Sequence, residues 1–341
     1  MPVSPDITSP MLSAPLRAEL RRDVLRGLGS PQKWLPPKWL YDATGSELFE
    51  QITVLPDYYP FPAERALLES CSGAIAEASG ARTLIELGSG ASEKSRLLLN
   101  ALRARQLGTA YVPVDVSSSA LSQAADALRA EYPGLTVAPV LADFTADLEL
   151  PPVEGPRLVA FLGGTFGNLL PAERAVFLRT LRSQLAPSDG LLLGCDLIKD
   201  PAVIRAAYDD PTGVTGAFSK NVLTVLNREF DGDFDLAAFD HAVLWDSHNQ
   251  WIEMRLRSRH RQTVTLRGLG LAVTFAAGED LRTEISAKFE PDRLAAEVRA
   301  AGLEISRLWT EPTHHYGLAL ISPAHDRAVD AVRPRLGEDV G

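Results

Sequence analysis

From residue 16 the apolar positions recur at helical spacing. LRAELRRDVLRGLG (16–29) repeats leucine and valine every three or four residues and stops at Gly29. The Pro- and Trp-rich stretch PQKWLPPKWLYDATGSELF (31–49) leads into a second helix with Thr44 or Ser46 as N-cap, and a third runs from Pro62 to Ser79. Short apolar runs then alternate with helices. Strands are predicted at RTLIEL (82–87), AYVPVDV (110–116), LTVAPVLAD (135–143), RLVAFLGG (157–164) and GLLLGCDLI (190–198), with helices at 93–106, 117–132 and 172–185. Continuous apolar runs mark strands buried on both faces, and strand–helix alternation folds as a doubly wound parallel sheet.

After residue 200 the pattern changes. PAVIRAAYDD and VTGAFSKNVLTVLNREF are helical, while FDHAVLWDS (239–247), WIEMRLRSRHRQTVTL (251–266) and LAVTFAAG (271–278) look like antiparallel strands, an α+β unit inserted after the fifth strand. Helix PDRLAAEVRAAG (291–302) with strands LEISRLWTE (303–311) and YGLALIS (316–322) then completes a seven-stranded Rossmann-like α/β sheet. The expected division is a cofactor-binding domain at 61–199 plus 287–323, a substrate-binding domain at 12–60 plus 200–286, and flexible tails at 1–11 and 324–341.

With 34 basic and 44 acidic residues the formal net charge is −10, which disfavours nucleic acid as a partner because phosphate binding needs a basic face. Two cysteines far apart suit a reducing compartment, the N-terminus lacks a signal-peptide pattern, and no apolar run reaches the ~18 residues of a membrane span. A monomeric cytoplasmic protein without nucleic-acid or membrane partners is expected.

ELGSG (86–90) closes the first parallel strand, where glycines let the backbone approach a ligand. A dinucleotide fingerprint needs a third glycine where this chain has Glu93. Acidic-x-Gly-x-Gly instead resembles motif I of class I methyltransferases; a tight strand–helix turn is the bland alternative. Asp115 ends the second strand, placed to accept from ribose hydroxyls or to cap the next helix. Asp143-Phe144 end the third, an acceptor for an adenine amine beside a ring to cover it. Lys94 suits the methionine carboxylate of S-adenosylmethionine, or is a solvated helix charge.

PPKWLYDATGSELFEQIT, LPDYYPFPAE, LIELGSGASEKSRLLL, PVDVS, FLGGTFGNL, GCDLIKD, AYDDPTGVTGAFSKNVL, TEISAKF and WTEPTHHYGLAL are long, unusual strings. Through them the chain, over about residues 15–322, resembles the histidine Nα-methyltransferases of ergothioneine biosynthesis, which trimethylate histidine to hercynine. The resemblance implies that Tyr58, Gly88, Lys94, Asp115, Asp143 and Phe144 hold S-adenosylmethionine. It implies Asn168 and Tyr208 for the substrate carboxylate, with Asn168 also near the amine; Tyr41, Phe49 and Gly163 around the amine; and Thr215, Met254, Glu284 and Ser286 around the imidazole.

The chemistry of these residues agrees with that assignment. A carboxylate on one ring nitrogen and a hydroxyl on the other read an imidazole, and a ring lacking those nitrogens leaves the buried carboxylate unpaired at ~1–3 kcal/mol. Aromatic faces attract a quaternary ammonium by ~0.5–2 kcal/mol, a role for Tyr41 and Phe49. The amine must be deprotonated and aligned with the methyl group; Tyr41 or water is the expected proton acceptor, with Asn168 orienting the nitrogen. Rival readings are an Nα-methyltransferase of another aromatic amino acid, a non-methyl transferase on the same fold, and a regulatory S-adenosylmethionine-binding module. Histidines at 241, 248, 260, 314 and 315 have no metal-ligand spacing, so no metal is expected.

Overall fold

The computed structural model describes residues 11–324 except 91, 117, 145–147, 154 and 314. The expected tails therefore fall almost wholly outside the described residues, as does His314. The strands in chain order are β1 (Lys33–Trp34), β2 (Thr83–Leu87), β3 (Ala110–Asp115), β4 (Thr136–Val137), β5 (Val140–Leu141), β6 (Arg157–Phe161) and β7 (Gly190–Asp196). There follow β8 (Phe239–Asp246), β9 (Trp251–Ser258), β10 (Gln262–Leu266), β11 (Leu271–Phe275), β12 (Asp280–Ala287), β13 (Leu303–Thr310) and β14 (Tyr316–Pro323). The helices are α1 (Ala14–Leu28), α2 (Ala43–Thr53), α3 (Pro60–Ser79), α4 (Ser95–Ala104), α5 (Ser118–Glu131), α6 (Pro171–Gln184), α7 (Pro201–Tyr208), α8 (Val214–Phe230) and α9 (Pro291–Ala300).

The large sheet runs β13-β14-β7-β6-β2-β3-β4, with β5 also paired to β3. It is parallel except at β14, which is antiparallel to β7 and β13. Alternate residues feed two cores: Ile85, Val112, Val159 and Leu191 face one side, and Leu84, Tyr111, Leu158 and Leu192 the other. The expected seven-position, doubly wound architecture is present. Its third strand, read as continuous over 135–143, is instead two short pieces. Ala138 N still donates to Tyr111 O, but Pro139 has no N–H to continue the ladder.

The inserted unit has its own core, from Leu20 and Trp39 through Phe218, Phe239 and Met254 to Leu281. It is built on a second sheet ordered β1-β12-β9-β8, with β10 and β11 forming a separate ribbon. The predicted single strand 251–266 is divided at Arg259–Arg261, where Arg259 N bonds Ala238 O and the chain turns into the ribbon. The cap of α2 is Asp42 rather than Thr44 or Ser46. Its carboxylate accepts from Gly45 N at 3.0 Å and also from Asn221 and Arg228 of α8, both at 2.7 Å, so tertiary partners select the cap. The third helix starts at Pro60 rather than Pro62, since a first-turn proline needs no N–H partner.

Strand β12 joins the two units. Leu281 belongs to the inserted core, whereas Ile285 and Ala287 pack in the core of the large sheet. The 3-10 turn Thr165–Asn168 after β6 lies against it. A Cβ on Gly167 would stand 2.8 Å from Ala287 O, so only glycine permits this approach.

Candidate active site

A cavity of about 1410 Å³ lies where the carboxyl ends of the parallel strands meet β12 and the segment 34–61. All the residues singled out from the sequence line it except Thr215 and Met254. Met254 is opposite Glu284 in the β9–β12 pairing and sits in the inserted core, beneath the wall. Thr215 is buried in the first turn of α8; its N–H bonds Asp210 Oδ1 at 2.7 Å, and its hydroxyl has no partner among the described residues.

At one end, Gly88 has φ +72°, which a side chain would strain, and a Cβ there would stand 3.6 Å from the Phe144 ring. Gly90 N donates to Asp115 Oδ2 at 2.9 Å, tying the turn to the end of β3. Asp143 accepts from Lys38 Nζ at 2.7 Å, and Phe144 stands edge-on to Phe161 at 5.2 Å. Between the two glycines, Ser89 Oγ is buried with no partner among the described residues. A glycine turn with an orphan hydroxyl, flanked by carboxylates and a ring, suits an adenosyl group.

Glu86, the acidic residue of the motif, is buried. Ser95 Oγ and Tyr111 OH donate to it, while burial pushes its carboxyl up to about 7. Lys94 is not a solvated charge: its ammonium pairs with the fully buried Glu64. Glu64 also accepts from Gly163 N and Tyr316 OH, each at 2.9 Å, and so fixes the loop after β6.

At the other end are the groups expected around the substrate. Tyr41 and Phe49 meet edge-on at 5.4 Å, Phe49 meets Tyr58 at 6.4 Å, and Tyr58 meets Tyr208 at 6.0 Å. Phe218, unremarked in the sequence, completes the cluster 5.2 Å from Tyr41. Asn168 Nδ2 donates at 2.7 Å to both Glu284 Oε1 and Ile285 O. Both amide protons are therefore used, and the side chain presents its carbonyl as an acceptor, fitted to an amine N–H rather than to a carboxylate. Burial pushes the Glu284 carboxyl up to about 7, against the Asn168 bond and the Lys288 charge. Burial, and next the charge of Glu284, raises the Tyr41 phenol well above its ordinary value, which favours its protonated form.

Residues 20–323 match the family described as histidine-specific methyltransferase, SAM-dependent. The chain belongs to that family. It is 51% identical to the histidine N-alpha-methyltransferase of Mycolicibacterium smegmatis over 91% of this chain and 97% of that protein. It is equally identical to the enzyme of that name from Mycobacterium tuberculosis over 88% and 94%. It is 29% identical to ergothioneine biosynthesis protein 1 of Schizosaccharomyces pombe, over 67% of this chain and 31% of that longer protein. Among the described residues no group of three or more His, Cys, Asp or Glu side chains could hold a metal, and no helix is long and apolar enough to cross a membrane.

Sequence reasoning missed Lys38, Glu64, Asp196, Lys199, Phe218 and Lys288. Asp196 ends β7, lines the cavity and accepts from Tyr59 OH, Lys199 and Lys288. Only a three-dimensional contact distinguishes these residues from ordinary core or surface positions. GCDLIKD and TEISAKF, strings that carry the family resemblance, do contain Asp196, Lys199 and Lys288.

Proposed function

We propose that this chain transfers methyl groups from S-adenosylmethionine to the α-amino nitrogen of free L-histidine, three times in succession, giving hercynine as the first step toward ergothioneine. The observation that carries the reading is a half-buried carboxylate, Glu284, at the cavity wall and hydrogen-bonded to Asn168. In this reading Glu284 accepts from an imidazole N–H, while the Asn168 carbonyl accepts from the amine one residue-length away. An indole also offers one N–H, but it lacks the second ring nitrogen and needs more room, which argues against tryptophan.

When bound, S-adenosylmethionine supplies an electrophilic methyl group. The chain's own contribution is alignment. Gly88, Asp115, Asp143, Phe144, Tyr58 and Lys94 are the residues suited to hold the cofactor. Asn168 directs the amine lone pair, and in this reading the proton lost before attack goes to water, since burial keeps the Tyr41 phenol in its protonated form. As methyl groups accumulate, the amine loses its donors, and the faces of Tyr41, Phe49 and Tyr58 take over its binding.

The domain division at 61–199 plus 287–323 and 12–60 plus 200–286, a monomeric state and a cytoplasmic setting belong to the same reading. Incubation with S-adenosylmethionine and the twenty amino acids, followed by mass spectrometry, tests it. One, two and three added methyl groups on histidine are expected. Methylation of tryptophan or tyrosine in preference to histidine overturns the substrate, and cofactor binding without turnover overturns the activity.

A further inference from the structure

Behind the substrate end of the cavity lies a charge cluster that the reading above does not use. Lys288 is buried, follows β12 directly and does not line the cavity. Its three N–H donors meet three acceptors: Asp196 Oδ2 at 2.7 Å, Tyr208 OH at 2.9 Å and Ser286 Oγ at 2.9 Å. Asp196 is shared with a second ammonium, Lys199, which also donates to Tyr59 OH at 2.8 Å. Tyr59 OH in turn donates to Asp196 at 2.9 Å. Both ammonium groups bond the one Asp196 carboxylate, with Glu284 acting on Lys288 and Glu311 on Lys199 from further off.

Asp196 itself reaches the cavity wall, while Tyr208 and Ser286 stand between Lys288 and the cavity, and both line it. Their oxygens are 3.0 Å apart. Each accepts a proton from Lys288, so neither can turn its own O–H back toward the ammonium. Of their two hydroxyl protons, one bridges the pair and the other is left for the cavity. A hydroxyl that accepts from a cation is also a stronger donor. The wall thus presents an O–H donor, with positive charge behind it, to whatever lies in front. Asn168 cannot share that task, because both of its amide protons are already bonded.

We propose that Lys288 is a positioning residue for the substrate's carboxylate: held out of the cavity, it turns the Tyr208 and Ser286 hydroxyls into a donor that reads the anionic end of an amino acid. The inference rests on the histidine reading above and deepens it, and it moves Ser286 from the ring, where the resemblance put it, to the carboxylate. It assigns discrimination between an amino acid and the corresponding amine to a side chain that never touches the ligand. Substituting Lys288 releases both hydroxyls to rotate and accept, and the cavity loses its preference for an anion.

The test compares histidine with histamine, which keeps the ring and the amine and lacks the carboxylate. The native chain is expected to favour histidine. Lys288→Met is expected to lower the ratio of kcat/KM for histidine to that for histamine by at least about tenfold, the size of one hydrogen bond to a charged group. The change should fall mainly on the KM for histidine, with S-adenosylmethionine affinity retained. Lys288→Gln, which keeps two donors without the charge, should recover part of the ratio. A folded Lys288→Met chain with the native ratio overturns the proposal. Should neither substitution fold, Tyr208→Phe in the otherwise native chain decides, since an unchanged ratio there removes the relay. A native chain that methylates histidine and histamine equally well overturns this proposal and leaves the function standing; one that methylates neither overturns both.

Discussion

Asn168, from the turn after β6, and Glu284, on β12, share a 2.7 Å hydrogen bond across the join between the two sheets. In the proposed reading the bond links the group for the amine with the group for the ring, which would hold the two at a fixed separation. Its disruption should be costly. Asn168→Ala leaves the Glu284 carboxylate and the Ile285 carbonyl without this donor, and an unsatisfied buried group costs ~1–3 kcal/mol. Histidine turnover is expected to fall roughly tenfold to a hundredfold with the fold retained, as checked by steady-state kinetics and circular dichroism.

Glu284 should make stability depend on pH. Its carboxyl is raised from an ordinary 4.5 to about 7 by burial. A group whose folded value is raised contributes stability below its unfolded value, and that contribution is lost as pH rises through the folded value. The native chain therefore loses stability between about pH 4.5 and 7 on this account, on the order of 3 kcal/mol for a shift of this size. Glu284→Gln is expected to melt higher than the native chain at pH 8, to match it near pH 4.5, and to have lost most histidine affinity. Thermal scans at the two pH values check the sign.

The aromatic cluster should matter most late in the reaction. Phe49→Leu removes one face from the group around Tyr41. Binding of trimethylated histidine should weaken about threefold to thirtyfold, the range of a lost cation–π contact, while histidine itself binds nearly as before. Calorimetry with the two ligands, and accumulation of mono- and dimethylated product in single turnovers, measure this.

Glu64 is expected to be the costliest single loss at the cofactor end. Glu64→Ala strands the Lys94 ammonium, Tyr316 OH and Gly163 N–H in a buried site. Removal of one partner of a buried ion pair costs about 3–5 kcal/mol. The midpoint of urea unfolding should fall accordingly with an unchanged slope, and saturating S-adenosylmethionine should recover part of the loss.

Much of this site was legible in the sequence because its cofactor half is local. Gly88, Asp115, Asp143 and Phe144 each follow a predicted strand, and strand ends of a parallel sheet converge without further information. The substrate half was legible only through long shared strings, since Tyr41, Asn168, Tyr208 and Glu284 come from distant segments that no periodicity connects. Glu64 and Lys288 stayed hidden because charged residues in a helix or beside a strand look solvated until their partners, far along the chain, are seen. The same limit misplaced the α2 cap: Asp42 is chosen by Asn221 and Arg228, not by its own neighbours. Conversely, Met254 and Thr215 are near the site in the fold yet do not face its cavity.

Strand β12 carries Glu284 and Ser286 while anchoring one end in each of two cores, and Gly167 lets the neighbouring turn press against its backbone. The part of the wall that carries Glu284 is therefore a girder, braced at both ends by packed cores. Tyr41, Phe49 and Tyr58 line the same cavity from the segment between residues 41 and 58, which packs in the inserted core alone. A substitution among those rings leaves both anchorages of the girder in place.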